Sequence, residues 1–481
     1  MSFRLALFTG GVLLALLGFA MLIPAFLDLA DGVPNATAFF MGSFISLFIG
    51  TSLFISNKDN FTSLSIREGF LITTSSWLLL SLAGALPLYY SDLNLSYTDA
   101  YFESLSGITT TGSTVLSGLD SMSRGVLLWR SILQWIGGIG IIAFGIVLLP
   151  FLKIGGMQLL QTESSDRSDK FIPQTRHLVS RLIYVYIILS FACFVTYYLL
   201  GMSGFDAVNH AMTTLSTGGY STHDLSFGYF DSWPLQLAAT FFMLLGGLPF
   251  VLHVRYIFMH QSAYQFDEQV KGFCLIVVVT SIPIILWLLY HHVSTFSEAF
   301  VLTAFNVMSV ITTTGYASTD YTAWGPFTTG IFFFLTYLGS CAGSTSGGLK
   351  VMRLLVFLKG SKQQMNQLIY PNGIFQSFYQ GRPVDNSLLI NVIGFISFYV
   401  LLNAFITLAL TWVGLDVDTA LSGAATAIAN VGPGIGDIIG PSGNFSTLPD
   451  DAKWVLCLGM FLGRLEILTV LILFSPRFWK N

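Results

Sequence analysis

The chain has 481 residues, of which 10% are charged and 53% hydrophobic, with 43 Phe and a net charge of −4. Ordinary soluble domains carry about 25% charge, so this composition excludes a water-soluble globular enzyme and points to a bilayer. The absence of a basic cluster excludes nucleic acid as a partner, and Cys193, Cys274, Cys341 and Cys457 show no spacing of a disulfide framework or zinc site.

About 20 apolar helical residues cross a hydrocarbon core of about 30 Å. Taken in chain order, runs near residues 5–27, 37–56, 69–90, 125–151, 178–201, 233–259, 273–292, 326–357, 388–413 and 453–475 meet that length. The first is too long for a signal-peptide core and lacks a small-residue cleavage site, so it counts as a span. The cationic groups from Arg4, through Lys58 and Arg67, Lys153 to Arg181, Arg255 and Lys271, and Lys350 to Arg382, to Arg477 and Lys480 all fall on one side of a ten-span arrangement. The positive-inside rule makes that side, and both termini, cytoplasmic.

Between spans 3 and 4, 5 and 6, 7 and 8, and 9 and 10 the outer connections are too apolar for loops in water, and they repeat. Ile108-Thr109-Thr110-Thr111-Gly112-Ser113 is nearly duplicated by Ile311-Thr312-Thr313-Thr314-Gly315-Tyr316. Looser copies are Leu215-Ser216-Thr217-Gly218-Gly219-Tyr220 and Ala429-Asn430-Val431-Gly432-Pro433-Gly434. Each copy follows a short apolar segment; three of these open on a capping signature, Ser96 with Asp99, Ser203 with Asp206 and Thr295 with Glu298, and the fourth starts with Asp416 and Asp418. Acids at these starts imply half-helices whose negative C-terminal ends point inward at the Gly motifs, an arrangement that favours a cation. Irregular backbone at membrane depth is tolerated only when buried in protein or lining a watery path. Glycine permits the positive φ that turns successive carbonyls to one side, and Thr adds hydroxyls. Four copies around an axis thus predict rings of oxygen ligands replacing the hydration shell of an alkali cation. Close helix packing is the better explanation of a single Gly-Ser-Thr cluster, but packing does not require the regular spacing, common side and preceding capped half-helix.

Span 8 is interrupted by Gly339-Ser340-Cys341-Ala342-Gly343-Ser344-Thr345-Ser346-Gly347-Gly348, which a regular helix accommodates poorly. Leu349 stands where a phosphate loop needs Lys, which excludes nucleotide binding there. Arg464 lies mid-span in span 10, where insertion costs roughly 2.5 to 3.5 kcal/mol, so it faces protein or a cavity. Glu466, two residues on, is not on the same helical face, which favours a pore-facing cation over a local ion pair. Trp135-Ile136-Gly137-Gly138-Ile139-Gly140 reads as helix packing, Arg130 as an interfacial snorkelling residue without a role, and the seven His as mostly interfacial or solvated, with no metal-ligand spacing. No nucleophile-base set supports an enzyme, and a symporter of inverted repeats fits poorly with four repeats of one topology.

From about residue 60 to 481 these motifs resemble the bacterial potassium transporter superfamily of TrkH, TrkG and KtrB, and the two extra N-terminal spans resemble its TrkH-like branch. The resemblance implies an all-α polytopic protein of ten transmembrane helices, with four pseudo-fourfold span-pore helix-span repeats around a central ion pore. Its expected segments are a two-span domain at 1–62 and repeats at 63–160, 161–264, 265–384 and 385–481. It implies a K+ filter from Thr110, Thr111, Gly112, Ser216, Thr217, Gly218, Thr313, Thr314, Gly315, Asn430, Val431 and Gly432, with Gly219 as the alternative to Gly218 in the second register. The gate is implied to combine the intramembrane loop Gly343, Ser344, Thr345, Ser346, Gly347 and Gly348 with Arg464. Also implied are K+ uptake across the bacterial inner membrane, a homodimer, and a cytosolic nucleotide-binding partner of the TrkA type docking near Lys350 to Arg382. No organic cofactor is expected in this chain. K+ against Na+ preference, and channel-like against H+- or Na+-coupled transport, stay open.

Overall fold

The computed structural model describes residues 3–59, 65–147, 171–261 and 263–480. The expected segment boundaries at 62/63 and 160/161, and the cations Lys153, Arg167 and Lys170, lie outside the described residues.

Helices α1 (Phe3–Ala30) and α2 (Ala36–Ser56) form an N-terminal hairpin. A methyl placed on Gly50 would sit 2.6 Å from the Ala15 nitrogen, so only small residues allow this approach of two backbones. The hairpin is held to the next unit by Asp28, which accepts from the Gly125 N–H at 2.7 Å and from the Ser123 hydroxyl at 3.2 Å.

The order of long helix, short helix, irregular return and further helix then recurs. It comprises α3 (Ile66–Tyr89), α4 (Tyr97–Ile108) and α5 (Arg124–Val147), followed by α6 (Phe171–Leu199), α7 (Gly204–Leu215), α8 (Trp233–Gly247) and α9 (Phe250–Met259). Next come α10 (Glu268–Tyr290), α11 (Phe296–Ile311), α12 (Pro326–Tyr337) and α13 (Val351–Ile369). The last set is α14 (Asn386–Trp412), α15 (Val417–Ala429), α16 (Asp450–Arg464) and α17 (Leu468–Leu471). One buried cluster joins the hairpin to the first and last sets through Phe39, Phe102, Trp129 and Leu456, and another joins the second and third through Phe227, Phe250, Phe305 and Phe332. Exposed Phe44, Phe191, Leu275 and Leu401 cover the outer flanks, the apolar exterior a bilayer requires.

Ten continuous spans are not what the described residues form. Seven helices are long and apolar enough to cross a membrane, nine if each of two bent pairs counts once. Expected span 6 turns by 95° between α8 and α9, because Leu248 precedes Pro249 and is held extended. Expected span 10 turns by 100° after Arg464, where Glu466 has a φ of 61°. Expected span 8 divides into α12 and α13 around residues 338–350, whose ends Leu338 and Leu349 pair as an isolated parallel bridge.

The short helices begin largely as their caps dictate. Ser96 accepts from the Asp99 N–H and Ser203 from the Asp206 N–H, both at 3.1 Å, and Asp416 accepts from the Thr419 N–H at 2.9 Å. Each such bond satisfies one of the four orphan donors at a helix start. Thr295 differs from expectation: it holds the N-cap position of α11 but its side chain makes no cap bond; its hydroxyl lies 3.5 Å from that of Ser297.

Candidate functional site: four turns and the cavity beneath them

The C-termini of the four short helices share one hydrogen-bond pattern. Thr110, Thr217, Thr313 and Asn430 have φ of 52°, 50°, 56° and 57°. Their N–H groups donate three residues back, to the carbonyls of Gly107, Thr214, Val310 and Ala427. The following N–H groups donate five residues back: Thr111 to Ser106, Gly218 to Thr213, Thr314 to Ser309 and Val431 to Thr426, at 2.8 to 3.1 Å. This is the Schellman pattern, normally built on Gly. A β-branched Thr at positive φ stores roughly 1 to 3 kcal/mol of strain, and Asn430 is the residue type that tolerates the position best.

Two residues further on, Gly112, Gly219, Gly315 and Gly432 have φ of 86°, 76°, 79° and 111°. The second copy therefore takes its positive-φ glycine from Gly219, the alternative to Gly218 in that register. Gly218 aligns instead with Thr111, Thr314 and Val431. These segments close on one another in sequence. A methyl on Gly112 would lie 2.2 Å from the Gly218 carbonyl oxygen, on Gly219 1.8 Å from that of Thr314, on Gly315 2.0 Å from that of Val431, and on Gly432 2.9 Å from that of Thr111. Each turn abuts the next and the fourth returns to the first, a closed ring with no room for a side chain at the four glycines. Thr110, Thr111, Ser216, Thr217, Thr313, Thr314, Asn430 and Val431 are all buried in it.

The ring is bonded to the helices behind it. Gln134 donates to the Gly218 carbonyl at 2.6 Å and accepts from the Tyr220 N–H at 3.0 Å. Tyr220 donates to the Glu103 carbonyl at 2.8 Å, and the Tyr316 hydroxyl lies 2.5 Å from that of Thr213, so these tyrosines reach back to the preceding copy. Gly137 and Gly463 let α5 and α16 approach the Ile108 and Ile428 carbonyls, where a methyl would stand 2.1 and 1.9 Å away. Arg130 is no snorkelling residue. It is 1% exposed and its Nε donates to Glu103 at 2.8 Å. His210 and His253 are likewise buried rather than interfacial; His253 sits between the Tyr264 hydroxyl and the Leu245 carbonyl. Next to the segment leaving Gly219, the His223 ring lies 2.5 Å from Asp120 and stacks on Tyr229 at 3.5 Å. The hydrogen bond from His223 holds the Asp120 carboxyl below the usual carboxylate range.

Residues 338–350 lie against the other side of the ring. The Gly347 N–H donates to the Thr313 hydroxyl at 2.7 Å, the Thr217 hydroxyl donates to that of Thr345 at 3.2 Å, and a methyl on Gly347 would lie 2.2 Å from the Ala429 carbonyl oxygen. Thus the loop touches three of the four left-handed turns, while the Thr110 hydroxyl has no hydrogen-bond partner among the described residues. Ser340, Ser344 and Ser346 bond one another, and Phe250, at the α8–α9 bend, donates its N–H to the Gly343 carbonyl at 2.9 Å.

Beneath the loop is a cavity lined by Gly343, Gly347, Lys350, Arg353, Arg464 and Glu466. Arg464 ends α16 rather than lying mid-helix, is 3% exposed, and none of its three guanidinium nitrogens has a hydrogen-bond partner among the described residues. Glu466 pairs with Arg353, whose guanidinium also lies 3.7 Å over the Phe395 ring. Lys350 bonds Ser346 and Lys359 bonds Glu268. Three cations of the expected docking segment are therefore engaged within the chain, and its exposed residues include Lys362, Gln364 and Gln367 as well as Leu368, Ile369 and Ile374.

Over residues 35–481 the chain matches the family described as TrkH: Cation transport protein. It is 46% identical over 471 residues to the Trk system potassium uptake protein TrkI of Halomonas elongata, covering 98% of this chain and 96% of that protein. It is 38% identical over 492 residues to the Trk system potassium uptake protein TrkH of Vibrio parahaemolyticus, covering all of both. The crystal structure of the potassium transporter TrkH from Vibrio parahaemolyticus superposes with a TM-score of 0.92, at 36% identity over the whole of both chains.

Proposed function

Because the chain belongs to the TrkH family of cation transport proteins, we propose that it takes up potassium across the bacterial inner membrane through a filter made by its four turns. It is a membrane potassium uptake protein, not an enzyme, and K+ is its transported ion. The single observation that carries the filter reading is the closed ring. Backbone packed turn against turn, at the inner ends of four short helices, is the construction that replaces ion hydration by carbonyl oxygens.

In this reading the ten-span architecture has four pseudo-fourfold repeats at 63–160, 161–264, 265–384 and 385–481 after a two-span domain, with spans 6, 8 and 10 bent or broken. Thr110 to Gly112, Ser216 to Gly219, Thr313 to Gly315 and Asn430 to Gly432 coordinate K+. The loop from Gly343 to Gly348 and the charge of Arg464 form the barrier beneath. A fixed cation on the path repels the permeating ion, and the contacts of Gly347 and Thr345 with the turns support a closed position of the loop. The one-sided cations support cytoplasmic termini. A homodimer and a TrkA-like cytosolic subunit complete the proposal.

The test is Rb+ uptake into liposomes carrying the full chain, with competing Na+, compared with Gly112→Ser and Gly315→Ser variants. Wild-type protein takes up Rb+ in preference to Na+ without any organic substrate, and each variant loses that preference. Unchanged preference in both variants at equal abundance would overturn the filter.

A further inference from the structure

We infer that one equivalent position in the short helices supplies struts that set the ring's geometry, and that the buried Glu103–Arg130 pair is the selectivity-determining strut. The inference rests on the filter reading and adds residues outside the ring itself.

The residue seven positions before each left-handed turn residue is Glu103 in α4, His210 in α7, Asn306 in α11 and Gly423 in α15. Three of them, each fully buried, reach the outgoing segment just beyond the ring glycine. Glu103 accepts from the Thr114 hydroxyl and the Val115 N–H, all at 3.0 Å. His210 Nε2 lies 3.0 Å from the Ser221 hydroxyl. Asn306 donates to the Ser318 hydroxyl at 2.8 Å and accepts from the Ser318 N–H at 3.3 Å. Gly423 has no side chain to do this, and the atoms nearest a methyl there would be those of the Ile439, Leu456 and Leu410 side chains. The chemistry thus grades from charged pair to imidazole to amide to none.

Arg130 extends the first strut across to the second copy. Its Nη1 donates to the Ser221 carbonyl at 2.9 Å, its Nη2 to the Thr114 hydroxyl at 3.2 Å, and its guanidinium lies 4.1 Å over the Tyr220 ring. One buried cation therefore fixes the segments leaving both Gly112 and Gly219. Charge-assisted bonds in a low-dielectric site are about twice as strong as neutral ones. Selection of K+ over the smaller Na+ depends on how far the carbonyl ring can contract or soften. A ring held from behind resists that contraction, and release of the strut lets it follow the smaller ion.

The experiment is Rb+ uptake against Na+ competition by the full chain in liposomes. It uses Glu103→Gln, Arg130→Lys, the double Glu103→Gln/Arg130→Gln that leaves no unpaired charge, and Asn306→Ala, with Gly219→Ser alongside. Thermal midpoint and abundance are measured on the same preparations. The expected result is a loss of Rb+ preference of about tenfold in the double variant and about threefold in Asn306→Ala. Partial rescue is expected in Arg130→Lys, whose single ammonium pairs with Glu103 but cannot span Thr114 and Ser221. A merely structural role lowers the midpoint while leaving the preference as in the parent, and that result in the double variant overturns the inference. Should the Glu103 variants fail to fold, parental preference in Asn306→Ala overturns it alone. Gly219→Ser separates the two levels: if it too keeps the preference the filter reading fails, and if it alone loses it only the struts fail.

Discussion

Arg130 and Arg464 are the same residue in nearly the same degree of burial, 1% and 3% exposed, on opposite sides of the ring. Arg130 is bonded at every nitrogen, to Glu103, Thr114 and Ser221. Arg464 is bonded at none among the described residues. A buried ion costs several kcal/mol of desolvation, which only excellent pairing offsets. Burial of a charge therefore says little about its role, and its partners say much: the paired arginine braces the backbone, while the one without a hydrogen-bond partner among the described residues is the one proposed to act on the permeating ion.

That contrast can be broken or sharpened by mutation, beginning with the largest effect. Glu103→Ala strands Arg130 and lowers stability by about 3 to 5 kcal/mol; thermal unfolding in detergent checks it, and an unchanged midpoint would erase the distinction. Glu466→Gln strands Arg353 in the same way but in a more open place, with Glu466 14% exposed. The loss is about 2 kcal/mol, read from the same midpoint. Arg464→Ala breaks no bond, so its midpoint stays at or above the parent value while K+ flux rises about tenfold, a barrier change of about 1.4 kcal/mol. A lower flux at equal abundance would reassign Arg464 to structure. Asp31→Asn removes the partner of the solvent-facing Arg124 and leaves both midpoint and flux at the parent values, since exposed pairs contribute little.

The recurring Gly motifs, with Gly112, Gly315 and Gly432, and the caps at Ser96 and Ser203 were legible in the sequence because each is a local signal of residue type and spacing. The left-handed conformation of Thr110, Thr217 and Thr313 was not, because Thr is a residue that ordinarily avoids positive φ; the tertiary ring imposes it. Glu103 and Arg130 are 27 positions apart and meet only when α4 packs on α5, so no short-range pattern announces them, and the same holds for Gln134 and Gly218. The bend at α8–α9 did carry a signal, Gly246-Gly247-Leu248-Pro249, but hydropathy measures length of apolar chain and not its direction. Arg464 read as mid-span for the same reason.

Crystals of the full chain equilibrated with Rb+ and measured at the rubidium absorption edge give the most direct test of the ring. The account predicts anomalous peaks on the axis enclosed by the segments Thr110–Gly112, Ser216–Gly219, Thr313–Gly315 and Asn430–Gly432. Ordered Rb+ bound only elsewhere, with that axis bare, would contradict it.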